Sequence, residues 1–145
     1  MRISQKADYA LRAVIDLALH SREGAPARVA EIARRGRIPE KFLEAIVVDL
    51  RKAGLLASRR GPEGGHTLAL PASKITLGRI RAAVDGPLVL VEAGHRRNGR
   101  SAVDCGLQQV WKEVEQAIAA VLDGVTVEET CRRIQGPEGV SDFSI

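Results

Sequence analysis

Cysteine is scarce: the 145 residues hold two, Cys105 and Cys131, which make neither a disulfide framework nor a Cys-x-x-Cys ligand pair. Read plainly they are reduced thiols acting as small buried hydrophobes. No apolar run approaches the roughly 20 residues of a membrane-spanning helix. The opening Met1-Arg2-Ile3-Ser4-Gln5-Lys6 lacks the apolar stretch of a secretory signal. No membrane partner and a cytoplasmic location are therefore the expectations. No Ser-His-Asp or Cys-His pair stands in a recognisable setting, and no carboxylate pair or metal-ligand spacing appears, so no enzyme is expected and no metal site. Aromatic residues make up only 3%, in a composition otherwise ordinary for a soluble chain, 45% apolar and 28% charged. Internal repeats and low-complexity tracts are absent.

What is present begins with charge asymmetry. Residues 1–85 carry 16 Lys/Arg against 9 Asp/Glu, whereas residues 86–145 carry 6 against 9, which together leave the net +4. A basic first half joined to a mildly acidic second half fits a polyanion-binding module carrying something else. Many basic proteins bind no nucleic acid, so charge alone does not decide.

Hydrophobic periodicity predicts three helices in the basic half. Ala7, Ala10, Leu11, Val14, Leu17 and Ala18 recur on one helical face between Ser4 and His20. A short helix over 28–35 buries Val29, Ile32 and Ala33 and is closed by Gly36. A third, over 39–53, buries Leu43, Ile46, Val47 and Leu50, turns Lys41, Glu44, Ala45 and Val48 elsewhere, and is capped by Gly54. Two helices joined by a short Gly-containing turn form the helix-turn-helix pattern, which also occurs in proteins that never touch DNA.

The period then changes to that of strands, over 55–59 and 66–70, with Gly61-Pro62-Glu63-Gly64-Gly65 between them. Glycines supply the positive backbone angles of a hairpin turn. A basic hairpin directly after the third helix reads as a wing, with Arg59 and Arg60 at its base and a tip of near-bare backbone for close approach to DNA. A surface hairpin with solvated arginines is the plainer alternative. No Lys-Ser/Thr follows the last glycine, so this is not a phosphate-binding P-loop.

A fourth helix is predicted over 76–84, with Leu77, Ile80 and Ala83 inward, then a polar loop over 92–102. The last long helix is expected from Asp104, as N-cap, to Leu122. Its apolar stripe comprises Leu107, Val110, Trp111, Val114, Ile118, Val121 and Leu122. Thr126-Val127-Glu128-Glu129 opens a short final helix carrying Cys131 and Ile134.

The string Arg60-Gly61-Pro62-Glu63-Gly64-Gly65-His66 resembles the IscR-like (Rrf-two type) winged helix-turn-helix transcription regulators. So do the opening segment from Met1 to Ala13, Phe42-Leu43-Glu44, Ile75-Thr76-Leu77-Gly78, and the stretch from Cys105 to Trp111. The resemblance covers about residues 1–134. Relatives of that kind include the iron–sulfur cluster regulator, the nitric-oxide-sensing repressor, the rhizobial iron regulator and the cysteine-metabolism repressor.

The resemblance implies a mainly α fold with a β-hairpin wing and a long C-terminal dimerisation helix. It divides the chain into a winged helix-turn-helix domain (1–86), a sensor-type loop (87–103), the dimerisation helix with the short terminal helix (104–134) and a flexible tail (135–145). The partners implied are double-stranded operator DNA and a second copy of the chain, with the effector unidentified, in a nucleoid-associated cytoplasmic repressor. Lys41, Phe42 and Glu44 fall at the start of the recognition helix, Arg60 is the wing arginine, and Gln5 and Lys6 fall near phosphates. Arg51, Arg59, Gly61, Gly64 and Gly65 complete the set expected at DNA. Glu63 and His66 depart from the commoner Gly and Tyr of the wing.

The larger departure concerns sensing. Cluster-binding members carry three cysteines in the loop before the dimer helix, and here only Cys105 matches, with Ala93 and the Asn98-Gly99 region at the other positions. A [2Fe–2S] cluster wants four ligands, mostly thiolates. No cofactor is expected on that count, while Cys105, His95 and Asp8 remain as a reduced ligand set. Three readings stay open: a cluster-free dimeric regulator, a redox or iron–sulfur sensor, and a winged-helix protein-interaction module.

Overall fold

The computed structural model describes residues 2–21, 24–92 and 101–136. The chain adopts the expected class, helices with a two-stranded antiparallel hairpin. Helix α1 (Gln5–His20) starts where the Ser4 hydroxyl accepts the Ala7 N–H at 2.9 Å. Ala7, Ala10, Val14 and Leu17 are buried as the periodicity predicts, Ala13 joins them, and Leu11 and Ala18 are only half-buried at the edge of that face. Asp16 is buried beside them. Its charge is compensated by Arg35 of α2 (Val29–Gly36), whose guanidinium donates to both carboxylate oxygens at 2.8–3.1 Å.

The turn into α3 (Glu40–Lys52) differs from the sequence expectation. Gly36 stays helical and Arg37 takes the left-handed conformation, φ 54°. The reason is Ile38. Its N–H reaches back to the Ala33 carbonyl at 2.9 Å while its side chain enters the core, and a Cβ on residue 36 would stand only 3.0 Å from Ile38 Cδ1. Leu43, Ile46, Val47 and Leu50 of α3 are buried, and Gly54 caps the helix at φ +76°.

Strands β1 (Leu56–Arg59) and β2 (Gly65–Leu68) pair in register from Leu56 opposite Leu68 to Arg59 opposite Gly65. A 3₁₀ turn (Ala72–Lys74) leads to α4 (Leu77–Asp85), capped by Thr76. Helix α5 (Ala102–Gly124) begins earlier than expected. Ser101 is the N-cap and Asp104 is the third helical residue, the two bonding reciprocally in a capping box.

Helix α6 (Val127–Gln135) follows Thr126, whose hydroxyl accepts the Glu129 N–H as the capping pattern predicts. It does not stay with α5 in space. Val127 is fully buried in one core with Leu17, Ile32, Leu43, Leu50 and Ile80. The chain here is pinned by Val127 N–H to the Ile75 carbonyl (2.8 Å) and Leu77 N–H to the Val125 carbonyl (2.9 Å). On α4, Gly78 leaves the space that the Asp123 side chain of α5 occupies. By contrast, α5 has no buried residue along its 23 positions. No helix among the described residues is long and apolar enough to cross a membrane.

Candidate nucleic-acid interface

The outer face of α3 is the first part of the site. With the 3.6-residue repeat holding Leu43, Ile46 and Leu50 in the core, Lys41, Glu44, Ala45 and Arg51 are turned outward and exposed. Phe42 is 56% exposed, a large apolar ring left in water, and it tilts against Tyr9 of α1 with ring centroids 6.2 Å apart. Gln5 Nε2 donates to the Tyr9 hydroxyl at 3.0 Å, so Gln5, Tyr9 and Phe42 form one group spanning α1 and α3. Tyr9 was not among the residues picked from the sequence, although its place one helical turn after Gln5 was a signal. Lys6 is differently engaged. Its ammonium lies 2.7 Å from the Asp49 carboxylate of α3.

The wing is the second part. Arg59 and Arg60 are exposed at the end of β1, and Glu63 is exposed at the tip. The glycines divide by role. Gly61 has open space around it. A Cβ on Gly64 would meet the Arg59 carbonyl at 2.3 Å, and one on Gly65 the Ala27 carbonyl at 2.6 Å, so these two let the wing close on itself and on the start of α2. Ala27 and His66 exchange both backbone hydrogen bonds, at 3.0 and 2.7 Å. Burial lowers the His66 pKa from its ordinary value, and the Arg51 guanidinium adds to the shift, which sets the end of α3 against the wing's base. Its Nδ1 is buried without a hydrogen-bond partner.

These surfaces carry recognition chemistry. A helix of this kind fits the roughly 12 Å width of a DNA major groove, and a glycine-tipped basic hairpin can lie along the backbone or in the minor groove.

Of the residues considered for sensing, Cys105 and Asp8 lie among the described residues. Cys105 is exposed in the first turn of α5. Cys131 of α6 packs against the core, and burial with the nearby Glu128 carboxylate raises its pKa, which disfavours the thiolate a metal needs. Asp8 is held by Arg12 at 2.7 Å. Ala93, His95 and the Asn98-Gly99 region lie outside the described residues. Among the described residues no group of three or more His, Cys, Asp and Glu could hold a metal.

The apolar residues of α5 separate into two strips. Val103, Leu107, Val110 and Val121 are 50–71% exposed, and with Val114 and Ala117 they stand alternately four and three residues apart. Trp111 and Ile118 are half-buried on the adjoining flank, where Trp111 borders a groove with Val89 and Val91. Glu115 on that flank accepts the Leu90 N–H at 2.8 Å.

Comparison with known proteins agrees with this geometry. The family model described as Rrf2, iron-dependent transcriptional regulator, matches residues 3–133. The regulator IscR of Photobacterium profundum is 36% identical over 132 residues, covering 91% of this chain and 76% of the relative. Among solved structures, CymR, the global cysteine regulator of B. subtilis, superposes with a TM-score of 0.75 at 33% identity, covering 90% of this chain and 96% of the other. The IscR of T. potens superposes at 0.74 and 32% identity, with 96% and 94% covered.

Proposed function

Because the chain belongs to the Rrf2 family of DNA-binding transcriptional regulators, we propose that it represses transcription in the cytoplasm as a homodimer seated on operator DNA at the nucleoid. The observation that carries the DNA reading is the exposed α3 face with the wing arginines beside it. Lys41, Phe42 and Glu44 read base edges in the major groove. Arg59, Arg60 and Gly61 follow the backbone and minor groove, and Gln5 and Arg51 flank them. The test is operator affinity measured across salt concentrations. Loss of a phosphate contact flattens the slope of log K against log salt by about one. Loss of a base contact costs about 1–3 kcal/mol on the operator alone. Unchanged affinity and slope in both Arg60→Ala and Lys41→Ala overturn the assignment.

The homodimer reading is supported by the strip Val103, Leu107, Val110, Val114, Ala117 and Val121. Alternate spacing of four and three is the seam of two helices packed side by side. Large apolar side chains left in water along a whole helix mark an association surface. A second copy of α5 covers the strip symmetrically, each fully buried large side chain contributing about 1.5–3 kcal/mol. Trp111 and Ile118, considered from sequence as seam residues, border that contact.

We also infer that the protein works without an iron–sulfur cluster. The donor set does not fit one: of two cysteines, Cys131 is packed in the fold and only Cys105 is exposed. The test is anaerobic purification from iron-replete cells with iron, acid-labile sulfide and visible absorption measured. Stoichiometric iron and sulfide that disappear in Cys105→Ala reverse this reading.

A further inference from the structure

The wing is held from outside its own hairpin. Two strands of four residues each make a hairpin that is only marginally stable by itself. Arg28, just before α2, donates Nη2 to the Pro62 carbonyl at the wing tip at 2.6 Å. Next to it the Ala27–His66 pair adds two backbone bonds, and Gly65 lies against the Ala27 backbone. A cavity of about 290 Å³ opens between these parts, lined by Arg28, Val29, Ser58, Arg59, Gly61 and His66. The bond between Arg28 and Pro62, both exposed, is thus a polar contact that links the start of α2 to the tip across this opening.

Helix capping does not account for an arginine at this position. Arg28 is the N-cap of α2 yet its side chain makes no cap hydrogen bond. A cation at a helix N-terminus is also disfavoured by the helix dipole. Its bond to Pro62 is charge-assisted, about twice as strong as a neutral one. Bringing DNA against the wing removes water from that bond and strengthens it further.

We propose that Arg28 is a positioning residue for DNA binding: anchored at the start of α2, it fixes the wing tip, and with it Arg60, relative to the recognition helix. This rests on the wing being a DNA contact. Since α2 and α3 are joined through the tight turn at Arg37, the bond makes the helix pair and the wing one unit.

The experiment compares wild type, Arg28→Ala, Arg28→Lys, Arg60→Ala and the Arg28→Ala/Arg60→Ala pair. Without DNA, trypsin should cut at Arg59 and Arg60 faster in Arg28→Ala at an unchanged thermal midpoint. On the operator, Arg28→Ala should lose about tenfold in affinity. Arg28→Lys, which keeps a charged donor for Pro62, should recover most of that loss. Arg28→Ala should add little once Arg60 is already Ala. Unchanged proteolysis, or losses that simply multiply in the double variant, overturn the proposal; the latter is the mark of Arg28 touching a phosphate itself. If Arg60→Ala alone leaves affinity intact, the DNA reading of the wing fails, and proteolysis still decides whether Arg28 holds the tip.

Discussion

The Lys6 ammonium at the start of α1 lies 2.7 Å from the Asp49 carboxylate on α3, so a cation expected at a phosphate is already neutralised within the fold. The pair is partly exposed, and such pairs contribute about 0–1 kcal/mol to stability. Asp49→Asn should therefore leave the fold nearly as stable while freeing Lys6. Binding to non-operator duplex should tighten, and the slope of log K against log salt should steepen by about one. A slope equal to wild type would place Lys6 away from the DNA backbone.

For the dimer, a carboxylate in the α5 seam has no partner charge across a symmetric contact. Val114→Asp should give monomers by light scattering and lose tight operator binding, because the two recognition helices are no longer linked. Gln116→Asp, exposed on the other side of α5, should remain dimeric. A monomeric wild type at micromolar concentration would remove the basis for the symmetric seam.

At the wing base the room for change is smaller. A Cβ at residue 65 would stand 2.6 Å from the Ala27 carbonyl oxygen, at a backbone φ of +151° that side chains rarely adopt. Gly65→Ala should cost about 1–3 kcal/mol in urea unfolding and weaken operator binding by shifting the tip. Gly106→Ala in α5 meets nothing within 4 Å and should gain about 0.5–1 kcal/mol from helix propensity. Equal effects from the two substitutions would contradict the packing of Gly65 on Ala27.

His66 makes stability depend on pH in a stated direction. Burial, then Arg51, holds its folded pKa below the ordinary 6.5. Above 6.5 the imidazole is neutral in both folded and unfolded chains, so it contributes no pH dependence there. As pH falls through 6.5 toward the folded value, the unfolded chain binds the proton first and stability drops. His66→Tyr should remove this component, so the wild-type-to-variant difference in unfolding midpoint should widen from neutral to mildly acid conditions. A difference that stays constant with pH would show that His66 titrates normally.

Local information decided much of this protein. The apolar positions of α3 and most of those of α1 and α4, the caps at Ser4, Gly54 and Thr126, and the glycine-tipped hairpin are written in residues close together in the chain. Helix period, capping chemistry and turn geometry all act over a few residues, so they can be read directly. The family is legible for the same reason, since its motifs are short contiguous strings. Tertiary structure decided the rest. Arg28 and Pro62 are 34 positions apart and Lys6 and Asp49 are 43 apart, so nothing local announces that one holds the wing or that the other is spent. The sequence marks Val127 as the start of a short final helix, but only the packed chain brings its N–H to the Ile75 carbonyl and its side chain into the core. The stripe of α5 read as one face until the segment carrying Val89 and Val91 came to lie beside Trp111 and left the Val103–Val121 seam uncovered. Each of these depends on which distant surfaces meet, and only the packed chain sets that.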